Sequence, residues 1–178
     1  MNNNFDKKKS LEDLMRFLSI EGITGEEHDI AMNIKDDLIN SGVPPEYITF
    51  DNANDKIPLP TQVGNLIIKL PGTIDAERIM FSSHLDTVPL CKGAIPVIKG
   101  DKILPKDNTA LGGDNRTGVS ALVTMVKTLF KNNIPHGPIT ILFTVREESG
   151  LWGARMAKKE DLGNPVRGYN IDGGPAEE

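Results

Sequence analysis

The chain contains a single cysteine, Cys91, so no intrachain disulfide framework is available, and the thiol reads as a small, half-buried residue. No stretch approaches the ~18 apolar residues that a membrane span requires, and the opening MNNNFDKKKS has no apolar core of the secretory kind. An excess of cations is missing as well. With a formal net charge of −5 there is no overall attraction to nucleic acid, and Lys7, Lys8 and Lys9 read as a solvated run. The expectation is a cytoplasmic protein with neither a membrane nor a nucleic-acid partner.

What is present fits one globular domain: 178 residues, 38% of them hydrophobic, with a normal charged fraction. Ser10, with Asp13 three residues on, predicts the start of an amphipathic helix through Leu11, Leu14, Phe17 and Leu18. A second helix is expected with Thr24 as cap, Glu26 and Glu27 at its positive end, an apolar face of Ile30, Ile34, Leu38 and Ile39, and a stop at Gly42. Strands are expected over 63–70, closed by Pro71 and Gly72, and over 79–84, 139–144 and 168–171. Between them 119–130 is apolar at so many positions that it reads as a helix packed against a sheet. Strands alternating with helices predict an α/β fold, a three-layer αβα sandwich with a mostly parallel sheet.

Ligands of such sheets gather at the carboxyl ends of the strands, and four polar segments fall there. SSHLDTVP (82–89) sets His84 and Asp86 two residues apart at the end of an apolar run. Alternate residues of a strand share a face, so one nitrogen of His84 can meet a metal while Asp86 orients the ring. LGGDNRTG (111–118) puts Asp114 after two glycines at a helix start; a phosphate loop is the rival reading, but its lysine is missing. FTVREESG (143–150) runs an apolar strand into Glu147 and Glu148. Such a pair repels unless a cation relieves it, and one carboxylate can bind metal while the other moves a proton. YNIDGG (169–174) ends a strand in Asp172. One imidazole with several carboxylates and no sulfur suits zinc, with manganese or cobalt as substitutes. Arg146, Lys92 and Arg116 read as surface charges, and Trp152 as a packing residue beneath the site loop. Thr87 and Asn115 are candidates for hydrogen bonds near the metals.

SSHLDTVP, LGGDNRTGVSALV, FTVREESGLWGAR and NIDGG also resemble the metal-site motifs of the peptidase T-like dizinc enzymes, within the larger family of aminoacylases, acetylornithine deacetylases and glutamate carboxypeptidases. The stretch GAIPVIKGDKILPKDNTALGGDN is similar to the connection found in peptidase T-like members. This resemblance implies a zinc-dependent exopeptidase, a tripeptidase or aminopeptidase acting on short peptides, with two zinc ions per complete site. Carried over, His84 and Asp172 hold one zinc and Glu148 the other. Asp114 bridges them, Glu147 is the general base, and Asp86 orients His84. The peptide bond after Asp114 is expected to be cis.

One departure stands out. The family takes a further metal-binding histidine from a later part of the catalytic domain, and neither His28 nor His136 matches that motif. The resemblance therefore implies that residues 1–178 are the N-terminal portion of a catalytic metallopeptidase domain. The inserted dimerisation domain and the C-terminal catalytic portion would be absent, and the isolated chain inactive or weakly active. A homodimer is expected of the full-length protein. Two alternatives stay open: an N-acyl amino acid deacylase or carboxypeptidase with the same metals, and a non-catalytic metal-binding fragment.

Overall fold

Every residue of Ile139–Thr144 is apolar or β-branched, and every one is buried. A strand that is uniformly apolar, not alternating, belongs in the middle of a sheet covered on both faces. The computed structural model, which describes residues 5–173, places it there. Its strands, in chain order, are β1 (Ile48–Phe50), β2 (Leu66–Leu70), β3 (Ile79–His84), β4 (Pro96–Lys99), β5 (Lys102–Pro105), β6 (Ile139–Thr144) and β7 (Arg167–Asn170). The helices are α1 (Lys7–Ser19), α2 (His28–Asn40), α3 (Gly113–Lys131) and the short α4 (Trp152–Met156). Of the motif 169–174, Gly174 lies outside the described residues, as do 1–4 and the rest of the tail.

The main sheet has the order β1-β2-β6-β3-β7, and β4 with β5 forms a separate hairpin. β3 runs parallel to both β6 and β7, in register from Ile79 against Ile139 to His84 against Thr144. β2 is antiparallel to β6 and to β1, so β1, β6, β3 and β7 share one direction and β2 alone reverses. The expected mostly parallel α/β sheet is therefore present with one reversed strand, and β1 and the β4-β5 hairpin are additions that periodicity did not reveal.

The core fills one face of this sheet. Phe17, Ile30, Ile34, Leu38, Val119, Val123 and Val126 from α1, α2 and α3 meet Leu66, Ile68, Leu70, Ile141 and Phe143. Each such burial contributes roughly 1.5–3 kcal/mol before conformational entropy is counted. The opposite face is covered more thinly, by Leu162 with Ala157 against Ile67, Leu142 and Met80. Among the described residues no helix is long and apolar enough to cross a membrane.

Two helix starts differ from expectation. α1 begins a turn early because Asp6, not Ser10, caps it, its carboxylate accepting the Lys9 backbone N–H at 3.0 Å. Asp13 consequently sits mid-helix and faces inward, where it accepts from Lys127 Nζ at 2.7 Å and from Arg16 at 3.2 Å. Asp37 of α2 takes the same two cations at 3.0 and 2.7 Å, so four charges tie three helices together. α2 starts at His28 after Glu27, while the Thr24 hydroxyl is engaged with Ser149. Gly42 follows the last turn of α2 as expected.

Burial would raise the Asp13 pKa, but the bonds from Lys127 and Arg16 outweigh it and hold the carboxyl below its ordinary value. A folded-state pKa below the unfolded one contributes stability above the ordinary carboxylate range, and that contribution is lost as pH falls through the folded value. Asp13→Ala should therefore destabilise the chain at neutral pH by about 2 kcal/mol, less than a fully buried broken pair because Asp37 still receives both cations. In urea titrations the gap from wild type should narrow toward about pH 3. An equal gap at both pH values would show that ionic pairing is not its source.

Candidate metal centre

The site is assembled where β3, β6 and β7 end. His84 is the last residue of β3, Glu147 and Glu148 follow β6 by three and four residues, and Asp172 lies two beyond β7. Asp114 comes from the first turn of α3. That helix can reach the strand ends because residue 118 is glycine: a Cβ there would stand 2.6 Å from the Ile171 carbonyl oxygen and 2.8 Å from Ser83 Oγ. Ahead of it Gly112 adopts φ +80°, the left-handed conformation that glycine takes without steric cost, and the Asp114–Asn115 peptide bond is cis.

His84 is 2% exposed. Its Nδ1 lies 2.9 Å from the backbone carbonyl oxygen of Asp86, which can only accept, so Nδ1 carries a proton and Nε2 faces the acidic residues. From Nε2 the distances are 3.0 Å to Asp114 Oδ1, 3.7 Å to Asp172 Oδ1 and 3.9 Å to Glu147 Oε2. His84, Asp114 and Glu148 each offer a ligand atom within 4.8 Å of the others. Burial would lower the imidazole pKa, yet the Asp86 carboxylate, the Asp114 hydrogen bond and the charge of Glu147 raise it to about 9. Partial burial pushes Glu147 and Glu148 up. The pull of His84 opposes that shift, and the neighbouring carboxylates reinforce it.

Crowded oxygens around a single imidazole, without sulfur, are the donor set of a divalent cation, which would also relieve the repulsion that the neighbouring carboxylates add to the burial of Glu147 and Glu148. The residues therefore fit a metal. Asp114 is 64% exposed at its side chain and Asp172 34%, against 2% for His84, so the centre has a dry floor and a wet rim. A cleft of about 530 Å³ adjoins it, running from His84, Glu147 and Asp172 along Leu142 and Met80 to Leu162.

Asp86 lies beneath, fully buried, 3.4 Å from His84 Nδ1. Its shorter contacts go to the β6 loop: Oδ1 accepts the Glu147 N–H at 2.9 Å and Oδ2 the Glu148 N–H at 3.1 Å. Asn115 is buried and donates to the Ile171 carbonyl at 2.7 Å and to Asp172 at 3.1 Å, locking α3 to the end of β7. Thr87 is buried too, with its hydroxyl directed at the Gly22 carbonyl, and Trp152 packs against the core. His28 pairs locally with Asp29, and the His136 ring bonds to the neighbouring Gly137 carbonyl, so neither joins the centre.

Two arginines are not where the sequence suggested. Arg116 is 2% exposed beneath the site, donating to the Ile20 and Gly22 carbonyls, and its burial lowers its pKa to about 10. Arg146 is also buried, bonded to Thr61, Ser149 and the Pro60 carbonyl. Arg116 Nη1 is buried without a hydrogen-bond partner, and most partners of both arginines are distant in sequence, which no local pattern signals. Lys92 is exposed, as expected, and pairs with Glu26.

Residues 65–175 match the family described as Peptidase family M28. Among curated relatives, the uncharacterized protein YqjE of Bacillus subtilis is 33% identical over 168 residues, which is 94% of this chain and 43% of that protein. Among solved structures, a tripeptidase from Staphylococcus aureus superposes with TM-score 0.87 at 30% identity, and aminopeptidase PepT from Bacillus cereus with TM-score 0.86 at 30% identity. In both, the overlap covers 96% of this chain and 44% of the other. The chain thus spans less than half the length of these relatives.

The raised imidazole pKa depends chiefly on the Asp86 carboxylate. Asp86→Asn should return His84 toward the ordinary imidazole range, measured by NMR titration of its ring protons in chelator-treated protein. A value still near 9 would assign the shift to Asp114 and Glu147 instead.

Proposed function

The chain belongs to peptidase family M28, and from that membership we propose that it supplies part of the site of a metal-dependent peptidase, one that releases the N-terminal residue of short peptides. The observation that carries this reading is a single buried imidazole, His84, facing Asp114, Glu147 and Asp172 within 3.9 Å at adjacent strand ends. The names of the two structural relatives, an aminopeptidase and a tripeptidase, support the choice of substrate. The adjoining cleft is of the size that takes a few residues of peptide.

In this reading the cations are two zinc ions, with manganese or cobalt able to replace them. His84 and Asp172 would hold one and Glu148 the other, with Asp114 as a ligand available to both. Bound there, the pair would lower the pKa of a water and polarise the scissile carbonyl. Glu147 takes the proton from the attacking water and returns it to the leaving amine, a role suited to a carboxyl whose pKa is raised. Asp86 keeps His84 and the Glu147–Glu148 segment in place from below. Residues 1–178 are then the N-terminal portion of the catalytic domain. The dimerising insertion and the remaining catalytic portion belong to the full-length protein, which the reading takes to be cytoplasmic and a homodimer, the dimer being tested by light scattering of that form.

In its full native length and with zinc, manganese or cobalt supplied, the protein should cleave unblocked tripeptides and leave N-acylated amino acids intact. The reverse preference would favour the deacylase reading, and metal binding without turnover of either would leave a metal-binding role alone. Glu147→Gln should retain metal, by calorimetric titration, while turnover falls about 10²–10⁴-fold. Full activity in that variant would remove Glu147 from the role of base.

A further inference from the structure

Adjacent residues of an extended strand point to opposite faces, so Glu147 and Glu148 can serve one site only if the chain turns as it leaves β6. It turns at Arg146, a non-glycine residue at φ +53°. Three successive backbone N–H groups follow, none of them paired within the sheet, and all three end on buried carboxylates. Asp86 accepts those of Glu147 and Glu148 at 2.9 and 3.1 Å. That of Arg146 is accepted at 3.0 Å by Glu27 Oε1, which also takes the Gly25 N–H at 2.7 Å.

Glu27 is fully buried, 119 residues away in sequence from the segment it holds. Its neighbourhood grips the same loop a second time, since Thr24 Oγ1 donates to Ser149 Oγ at 3.0 Å. A carboxylate so placed is unfavourable unless backbone donors and a nearby cation compensate it. Here Gly25 and Arg146 both donate to Oε1 while Oε2 has no partner, so burial outweighs the backbone donors and raises the carboxyl pKa, and the buried Arg116 lies within electrostatic range of both Glu27 and Asp86.

We propose that Glu27 is a positioning residue for the Glu147–Glu148 pair: by binding the Arg146 N–H it holds the turn that directs both carboxylates to one site. The inference rests on the metallopeptidase reading, in which Glu148 binds metal and Glu147 moves the proton. Glu27 itself touches neither metal nor substrate.

The test uses the protein in its full native length with Glu27→Ala, Glu27→Gln and Glu27→Asp, cobalt(II) as probe and circular dichroism as a check on folding. Glu27→Ala should weaken cobalt binding at least about tenfold and alter the visible spectrum of the bound ion. Glu27→Gln, whose amide oxygen can still accept both N–H groups, should stay near wild type. Glu27→Asp keeps the carboxyl group but is one methylene short, so it should resemble the alanine variant, and it carries the test if alanine does not fold. Hydrogen exchange at 146–148 in metal-free protein should quicken in the alanine and aspartate variants only. A role confined to stability would shift melting and leave the cobalt spectrum alone. That result, or a glutamine variant as impaired as alanine, would overturn the proposal. Failure of the wild type to bind cobalt would instead sink the metal reading, and exchange at 146–148 would still decide whether Glu27 holds the turn.

Discussion

The arrangement depends on a buried anion being acceptable where it is. Asp86 stands at the end of β3 with no exposed surface, and its two oxygens are taken by successive backbone N–H groups from the end of β6. An unpaired carboxylate in that position would be expelled or protonated. With two donors and the His84 ring beside it, the charged form is favoured, and its pKa is held below the ordinary value despite burial. Two parallel strands are thereby pinned at the one edge where register matters most. Glu147 and Glu148 leave β6 already oriented, and His84 leaves β3 with its tautomer set.

The unequal covering of the sheet gives this pinning its use. On one face α1, α2 and α3 bury a continuous apolar core, and the Asp13–Lys127–Asp37 ion network fixes those helices to one another. At the other end of α3, Asn115 ties the turn that delivers Asp114 to the end of β7. The other face is held only by Leu162 and Ala157 over Ile67 and Leu142, and it leaves the cleft beside His84 open. Groups that must keep their spacing come from the packed side, and access comes from the sparse one.

Much of this was legible residue by residue. The apolar runs before His84 and Glu147 marked two parallel strands, and the apolar density of 119–130 marked the helix between them, because strand and helix periods are local properties. The carboxylates at the ends of those runs followed from the rule that open α/β sheets bind at their carboxyl edge. Misreadings arose wherever the deciding partner was remote. Ser10 and Thr24 are competent caps, but Asp6 lies one turn earlier and the Thr24 hydroxyl is taken by Ser149. β2 carries the same apolar signature whichever way it runs, and periodicity does not encode direction.

The sequence by itself determined which chemistry is available: one imidazole and five carboxylates at predicted strand ends and a helix start, with no thiolate cluster and no phosphate loop to compete. Tertiary structure alone decided which charges are buried. Arg116, Arg146 and Glu27 have the composition of surface residues, yet all three lie beneath the site, because donors and acceptors up to 119 residues away meet them there. The physical reason is that the stability of a buried charge is set by its hydrogen-bond partners and not by its own polarity, and those partners come together only when the chain has folded.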